Sequence, residues 1–507
     1  MMVDSSFVKI AAACLAVFVF VHHVISLIQR RRFAKARGCK PPTMLPQTER
    51  IIGYKVFTTM AADMKARTML PTSLQLHREL GNTFSLVLLS QPAIVTIEPE
   101  NLKAVLATQF HDFGIGKRHR GMGALLGHGI FTSDGAHWER SRALVRPSFA
   151  RVHVADLETF ESHIQHLIAK IPRDGSTIDL QPLFYQLTLD SATEFLLGES
   201  VDVLRSPTGS EQQLFGEAFD FAQTELNLRL RLGPFVWFYR NRKFDTACIR
   251  VHNFIDKFVA KALEFRRESQ ASGKTNNEDE KQKGKYIFMN ELALATDDPI
   301  QIRSEILNIL LAGRDTTAGL LSNTFHVLAR RPDVWAKLKH EVDQLEGKRP
   351  DYETLRSMRY LKHVLNESLR LYPSVPQNIR FANKDTTLPV GGGPDGTAPI
   401  FVAKGQIISY NIYSMHRRKD IYGEDADEYK PERWENLRVG WGYLPFNGGP
   451  RICVGQQFAL TEAGYTLVRL VQEFERVENR DPEPWLENLH LTLGSGNGVH
   501  TSLFPRS

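Results

Sequence analysis

The sequence has few cysteines, and they do not form pairs. Its 507 residues include only Cys14, Cys39, Cys248 and Cys453, with no CxxC pair and no zinc-ligand spacing. This argues against a disulfide framework and favours a reducing compartment that faces the cytosol. The sequence also lacks internal repeats and has no glycine-rich dinucleotide-binding fingerprint after a strand.

The sequence has little net charge of either sign. Its 63 Lys and Arg residues against 57 Asp and Glu residues leave a net charge of +6. Residues 29–40 contain no acid and hold six basic residues, which are Arg30, Arg31, Arg32, Lys35, Arg37 and Lys40. These six account for the whole surplus. A nucleic-acid-binding protein usually carries its basic excess on the folded domain, so we expect no nucleic-acid partner and instead expect a membrane.

Residues 10–28 form a long apolar run. The run is long enough for a membrane-spanning helix, which needs about 20 residues. A cleaved signal peptide is the alternative, but this run is longer than such a core and leads directly into Arg30–Arg32, which favours an uncleaved anchor. Because positive flanks stay in the cytosol, we expect residues 1–9 in the lumen, a basic and proline-containing linker at 29–44, and a cytosolic domain at 45–507.

The remainder indicates a mainly α fold with a small β-sheet. Helical periodicity predicts helices at 153–171, 211–230, 246–267, 300–330, 333–346 and 358–371, and strand-like runs occupy 84–89, 93–97 and 407–409. The polar stretch 268–285 predicts a mobile loop between helices. No convincing linker divides residues 45–507, which we interpret as one large domain.

The helix predicted at 300–330 is apolar on most faces but contains the polar run Arg314–Thr317. Burying these side chains without partners would be costly. Thr316 could bond to the carbonyl of Ala312, whereas Asp315 has no such local partner. This position is therefore a candidate functional site.

The most informative segment is Phe446–Gly455, FNGGPRICVG. Its cysteine, Cys453, follows a loop rich in glycine and proline and precedes a helical pattern. Backbone N–H groups and a helix N-terminus both favour a thiolate, which is the form of cysteine that binds a soft metal. The alternative is a buried structural cysteine beside a turn.

This segment resembles the haem-binding loop of the cytochrome P-450 superfamily, the haem-thiolate monooxygenases. Other family motifs follow in order, namely Trp138-x-x-x-Arg142, Ala312–Thr317, Glu367-x-x-Arg370 and Pro431–Trp434. The resemblance covers about residues 45–505 and implies the cytochrome P-450 fold, preceded by one transmembrane helix.

The resemblance implies roles for individual residues. Cys453 would be the axial ligand of haem b, and Asp315 and Thr316 would deliver protons during catalysis. The haem propionates would be held by Trp138, Arg142, Arg380 and Arg451, because arginine matches a carboxylate well. Glu367, Arg370 and Arg433 would form a buried structural network.

The resemblance also implies partners. The expected partners are O2, a hydrophobic small-molecule substrate, the membrane of the endoplasmic reticulum and an NADPH–cytochrome P-450 reductase, since this chain has no dinucleotide-binding fingerprint. The run Arg380–Gly396 is similar to the fungal alkane- and fatty-acid-hydroxylating branch, which oxidises terminal carbons of long chains. Ala312 stands where some related enzymes carry a haem-linked glutamate, so non-covalent haem is expected.

Three functions compete at this point. The first is hydroxylation of an aliphatic chain, either of a fatty acid or alkane or of a secondary metabolite. The second is a reductase-independent haem-thiolate isomerase or dehydratase, and the third is a non-enzymatic haem binder. The channel walls expected for the first are 114–131, Ile309–Ala312, Val375–Ile379 and Leu493–Val499. Lys117, Arg118 and Arg120 could attract a fatty-acid carboxylate, or form an exposed basic loop.

Overall fold

A computed structural model of the chain describes residues 5–149, 156–272 and 287–506. It confirms a mostly helical protein with small sheets. Helices α1 to α18 span Ser5–Ala36, Tyr54–Ala66, Met69–Leu80, Pro99–Lys103, His119–Leu126, Gly135–Val145, Leu157–Lys170, Leu180–Leu197, Glu211–Leu232, Arg242–Ser272, Phe288–Ala295, Pro299–Leu328, Pro332–Asp343, Tyr352–Ser357, Arg359–Leu371, Ile412–Met415, Lys419–Tyr422 and Gln456–Glu473. Strands β1 to β13 span Thr43–Met44, Thr83–Leu88, Gln91–Thr96, Phe113–Gly114, Ile178–Asp179, Gln377–Ala382, Thr386–Gly392, Ala398–Val402, Ile407–Asn411, Phe474–Asn479, Glu487–Leu489, Leu493–Ser495 and His500–Pro505.

Each of the predicted helices and strands corresponds to an observed one, with boundaries shifted by a few residues. The largest change is α10, which continues to Ser272 and so includes the first residues of the polar stretch at 268–285. Residues 273–286 lie outside the described residues, so the predicted loop there is not described. Sequence periodicity identified the helix interiors well because their apolar faces are long.

The N-terminal helix α1 contains one apolar segment, Ala13–Ala36, that is long enough to span a membrane, and none of its most apolar part is buried. The helix continues through the first part of the predicted linker to Ala36, since arginine, lysine and alanine are strong helix formers. The linker residues also bind folded structure. Arg30 pairs with Asp385 at 3.1 Å, and the ring centroids of Phe33 and Phe401 are 5.7 Å apart.

The described chain divides into two compact units, whereas the sequence analysis treated residues 45–507 as one domain. The first unit comprises the chain up to Met60, Ser73–Gly114 and Ile379–Asn411. It holds most of a six-stranded sheet with the order β1-β2-β3-β9-β6-β4. Strands β2 and β3 form an antiparallel hairpin, and β3 pairs in parallel with β9.

The second unit comprises Ala61–Thr72, Ile115–Asn378 and Ile412–Ser507, and it is built around α12. This helix begins at a clear N-cap, where Asp298 accepts hydrogen bonds from the N–H groups of Ile300 and Gln301 and Pro299 takes the first helical position. Nearly all of its later residues are buried. Its apolar side chains, such as Phe325 and Leu328, join one core with residues of α8, α13, α15 and α18.

The buried ion-pair network that the resemblance implied is present in the second unit. Arg370 donates to both oxygens of Glu367 at 2.8 Å, and neither side chain is exposed. Arg433 and Trp434 also donate to Glu367, at 3.2 and 3.0 Å. A buried carboxylate with this many donors is compensated, so the network fixes α15 to the segment around Pro431–Glu435.

Candidate functional site

Cys453 lies in a tight loop that leads into α18. Its N–H donates to the carbonyl of Phe446 at 3.0 Å, and Gly449 has a φ of 67°, which favours glycine. Burial raises the pKa of the Cys453 thiol, while the Gly455 N–H and the Arg142 guanidinium act in the opposite direction. The side chain is nevertheless exposed.

Three of the predicted propionate ligands lie close to one another in the second unit. Trp138 is buried in α6, and the guanidinium carbons of Arg451 and Arg142 lie 4.2 and 6.0 Å from the centroid of its ring. Arg142 donates to the carbonyl of Ile452 at 3.0 Å, next to Cys453. An indole N–H and two guanidinium groups therefore gather around the cysteine loop.

Arg451 is further held on its other side. It donates to the carbonyl of Ser133 at 3.0 Å and to the carboxylate of Asp134 at 2.5 Å. Asp134 also accepts the Ile115 N–H at 2.8 Å. These bonds orient Arg451 before any ligand is bound.

Arg380, the fourth predicted propionate ligand, belongs to the first unit. It is buried, donates to the carbonyl of Ile379 at 2.8 Å, and its guanidinium carbon lies 5.7 Å from the centroid of the Tyr410 ring. These contacts fix the direction of the Arg380 side chain.

Asp315 in α12 is buried and has partners that the sequence analysis missed. Arg314 donates to its carboxylate at 2.9 Å, and Arg314 is itself paired with Asp220 of α9. The amide of Gln223, oriented with its nitrogen toward Asp315, donates to the same carboxylate. Burial raises the pKa of Asp315 to about 6, although Arg314 opposes this shift. The carboxyl group can therefore gain or lose a proton near neutral pH.

Asp315 and its partners line a pocket of about 330 Å³. The pocket is formed by α8, α9, α12 and the segment Asn488–Thr492, and its wall includes Tyr185, Asp220, Gln223 and Arg314. Asp220 and Gln223 stand three residues apart and so share a helix face. Sequence periodicity shows that shared face, but it does not show that the face packs against α12.

Thr316 has the local partner that the sequence suggested. Its hydroxyl donates to the carbonyl of Ala312 at 2.7 Å, and its own carbonyl accepts a hydrogen bond from Ser374 at 3.1 Å. Within the described residues, no hydrogen bond joins Thr316 to Asp315. The two neighbours in sequence thus have separate partners.

Two of the expected channel walls, 114–131 and Leu493–Val499, contact α12 within the second unit. Asn308 contacts one wall, since it donates to the carbonyl of Leu126 at 2.9 Å and accepts from the Phe131 N–H at 3.0 Å. Ser374 binds both the Thr316 carbonyl and the Leu493 N–H, the latter at 3.0 Å. The segment 126–131 therefore contacts α12 at Asn308. Ser374, one residue before the expected wall Val375–Ile379, and Leu493 contact the helix further along, at Thr316 and Asn323.

The three basic residues that could attract a carboxylate have different surroundings. Arg118 donates to the side-chain oxygen of Asn378 at 3.1 Å and so connects two of the expected walls. Lys117 and Arg120 are exposed, which is what the alternative of a basic surface loop predicts for them.

Comparison with known proteins identifies the family. The sequence profile of the family described as Cytochrome P450 matches residues 59–501. The chain belongs to the cytochrome P450 family. It is 46% identical over 493 residues to cytochrome P450 monooxygenase himC of Aspergillus japonicus, which covers 96% of this chain and 88% of that protein. It is 45% identical over 504 residues to cytochrome P450 52A12 of Debaryomyces hansenii, with 95% of each chain covered.

This cytochrome P450 is therefore a monooxygenase. Membership of the family implies a haem-thiolate iron cofactor, O2, a redox partner and a hydrophobic substrate. The apolar helix Ala13–Ala36 suggests anchoring in a membrane.

Proposed function

We propose that this P450 binds haem b through Cys453 and hydroxylates the terminal carbon of a long aliphatic chain. The accessible Cys453 thiol, with the Trp138, Arg142 and Arg451 donors gathered around its loop, carries the first part of this proposal. A soft thiolate suits iron, and guanidinium groups suit the two carboxylates of haem. When bound, haem with a cysteine ligand supplies the chemistry that cleaves O2 and inserts one oxygen atom into a C–H bond.

The protein holds the cofactor without a covalent link in this proposal. Ala312 has no carboxylate with which to form an ester, so binding depends on Cys453 and on the donors to the propionates. Arg142 and Arg451 are already oriented by the Ile452 and Ser133 carbonyls. We assign Arg380 the same role from the first unit, on the strength of the family resemblance.

Asp315 and Thr316 would move protons toward the active site. The pocket beside Asp315 gives its carboxyl group access to solvent, and a pKa of about 6 lets this group load and release a proton at neutral pH. The Thr316 hydroxyl, fixed by the Ala312 carbonyl, keeps its oxygen lone pairs available to a water molecule. Since the two side chains are not bonded to each other, water would have to connect them.

The aliphatic substrate is supported by the convergence of apolar and glycine-rich walls on α12. Terminal C–H bonds are stronger than internal ones, so a terminal product requires a narrow channel that presents only the chain end. The bonds from Asn308 and Ser374 hold the walls near 126–131 and 493 against the helix. A long-chain fatty acid or alkane is the first candidate substrate for such a channel, and an aliphatic secondary metabolite is the second.

We further propose that the protein is anchored in the endoplasmic reticulum by α1, with the chain that follows the span in the cytosol. The cluster Arg30–Arg32 at the end of the span supports this orientation. NADPH–cytochrome P-450 reductase, which is anchored in the same membrane, would supply electrons.

The test is incubation of the full chain with reductase, NADPH and saturated fatty acids or alkanes from twelve to eighteen carbons, followed by mass spectrometry. We expect products hydroxylated at the terminal carbon and none without NADPH. Products oxidised mainly at mid-chain would contradict the channel argument. Lack of turnover of every aliphatic chain would favour a secondary-metabolite substrate, and turnover without reductase would favour an isomerase or dehydratase.

A further inference from the structure

A cluster of metal-binding side chains lies outside the residues assigned to catalysis. His163 of α7, Asp190 of α8 and Asp202 of the following loop each offer a ligand atom, and these three atoms lie within 4.8 Å of one another. His163 is 2% exposed and Asp190 is fully buried, whereas Asp202 is half-buried. The cluster therefore has a closed end and a side that an ion could reach from solvent.

His163 has one engaged ring nitrogen and one without a partner. Its Nε2 lies 2.5 Å from the Glu194 carboxylate, while Nδ1 is buried and has no hydrogen-bond partner among the described residues. With the proton on Nε2, the lone pair on Nδ1 is available. Metal-binding histidines commonly have this arrangement, in which a carboxylate accepts the other ring N–H.

The carboxylates keep further capacity to bind a cation. The Asp190 oxygens accept the N–H groups of Val203 at 2.6 Å and Leu204 at 3.0 Å, but each carboxylate oxygen has two lone-pair sites. These bonds also fix the orientation of the Asp190 carboxylate. Burial raises the pKa of Asp190 to about 6, so a nearby positive ion would offset the cost of its charge.

His166 stands one helical turn after His163, and the centroids of the two rings lie 6.3 Å apart. The Nδ1 of His166 is also buried without a hydrogen-bond partner among the described residues. Burial, Arg205 and His163 lower the pKa of His166, and Asp202 opposes them, so the ring is neutral at pH 7. Arg205 is the cation that faces this cluster, and it is exposed, so solvent screens its repulsion of a bound ion.

We propose that His163, Asp190 and Asp202 bind a divalent first-row transition-metal ion of the Zn²⁺ type. Imidazole and carboxylate donors suit such ions. The ion would tie α7 to α8 and to the loop after it, which makes it a structural site rather than a catalytic one. The competing explanation is a metal-free network in which the unpartnered Nδ1 carries a proton.

The test uses the haem-loaded full chain after dialysis against a chelator. Zn²⁺ is added as the probe, and binding is followed by isothermal titration calorimetry and by the shift in thermal unfolding. We expect about one equivalent of tightly bound Zn²⁺, proton release on binding, and a rise in melting temperature. Asp202→Asn, chosen because Asp202 is half-buried, should weaken Zn²⁺ binding at least 10-fold and abolish the thermal shift, and His163→Gln should do the same.

Two controls keep the result interpretable. Asp297→Asn makes the same charge change at an exposed position and should leave Zn²⁺ binding unchanged. A second histidine group, whose rings stack at 3.7 Å for His119 and His128, could also take zinc. If Zn²⁺ binding is lost in His128→Gln but kept in Asp202→Asn, the proposal is wrong. It is also wrong if no equivalent binds to the unaltered protein.

Discussion

At the scale of single residues, the surroundings of a cysteine decide what it can do. Cys248 and Cys453 are both surrounded by protein, and burial raises the pKa of each thiol, that of Cys248 to about 12. Only Cys453 is exposed, at the end of a loop that presents the Gly455 N–H and Arg142 to its sulfur. Cys248 is buried in α10.

Replacing Cys453 by alanine or histidine should abolish the thiolate-type absorption spectrum of the reduced carbon monoxide complex. The physical reason is that no other thiol is placed by this loop. Cys248→Ala is the matched control and should keep the spectrum, with at most a modest loss of stability from the small cavity. A normal spectrum from the Cys453 variants would mean that a different residue binds the iron.

Thr316 and Thr324 allow a second comparison at this scale. Both lie in α12, and each hydroxyl donates at 2.7 Å to the carbonyl four residues earlier. Thr316→Ala should keep haem and substrate binding but divert several-fold more NADPH to peroxide or water. Thr324→Ala removes the same local bond and should leave coupling normal. The measurement is product formed per NADPH consumed.

The proton role of Asp315 can be tested with the same assay. Asp315→Asn keeps the size of the side chain but removes the ionisable group, so turnover should fall about 10-fold or more. Normal turnover in this variant, together with normal coupling in Thr316→Ala, would eliminate the role proposed for both residues.

At the scale of elements, α1 combines an exposed apolar segment with a basic end that contacts the first unit. Arg30 pairs with Asp385, Phe33 contacts Phe401, and the Lys40 N–H donates to the Pro399 carbonyl at 2.8 Å. The membrane span and the predicted linker therefore have different roles. Deleting the first should affect location, and deleting the second should affect stability.

Removal of residues 1–28 should move the protein toward the soluble fraction with unchanged thermal stability and haem content. Removal of residues 1–40 should also move the protein toward the soluble fraction and keep the haem content. It should lower the free energy of unfolding by about 1–2 kcal/mol, since it also deletes an aromatic pair and a partly exposed ion pair. Fractionation, chemical denaturation and the haem spectrum are the measurements. Failure of the shorter deletion to bind haem would mean that the span is part of the fold.

Some membrane association should survive both deletions. Phe235, Trp237 and Phe238 are exposed in the short helical segment after α9, and aromatic side chains of this kind bind the interfacial region of a bilayer. Replacing Trp237 and Phe238 by serine in the truncated protein should release the remaining fraction. If it does not, another surface binds the membrane.

At the scale of the whole molecule, buried carboxyl groups make stability depend on pH. Glu462 of α18 is 1% exposed and is bonded to Ser191, and burial raises its pKa from 4.5 to about 8. The folded protein therefore keeps a proton that the unfolded chain releases above its ordinary pKa. The contribution of Glu462 to the free energy of unfolding therefore falls as the pH rises from about 4.5 to about 8.

Glu462→Gln should remove this part of the pH dependence, because glutamine has no proton to lose and can still accept a bond from Ser191. Melting curves from about pH 5 to about pH 8 should therefore be flatter for the variant, with a higher melting temperature at the alkaline end. Glu432→Gln, which changes a more exposed ion pair with Lys337, should keep the original slope. Parallel curves for the unaltered protein and Glu462→Gln would contradict the assignment.

Patterns that are local in sequence determined much of this protein. The apolar run in α1, the long apolar faces of α9, α10 and α12, and the motif around Cys453 could each be read directly, since each depends on neighbours within a few helical turns. Thr316 belongs to the same group, because its partner is one turn away at Ala312. The motifs also sufficed to recognise the P450 family.

Only the tertiary structure decided which distant groups meet. It places Asp220 beside Arg314, the residue that also pairs with Asp315, and it places Asp190 and Asp202 within reach of His163. It also packs the predicted linker on the first unit. Periodicity reveals which residues share a face but not which face packs against which, and the charge state of a buried group depends on those distances. For this reason the sequence was enough to propose Cys453 as the ligand, whereas the surroundings of the acid in α12 required the fold.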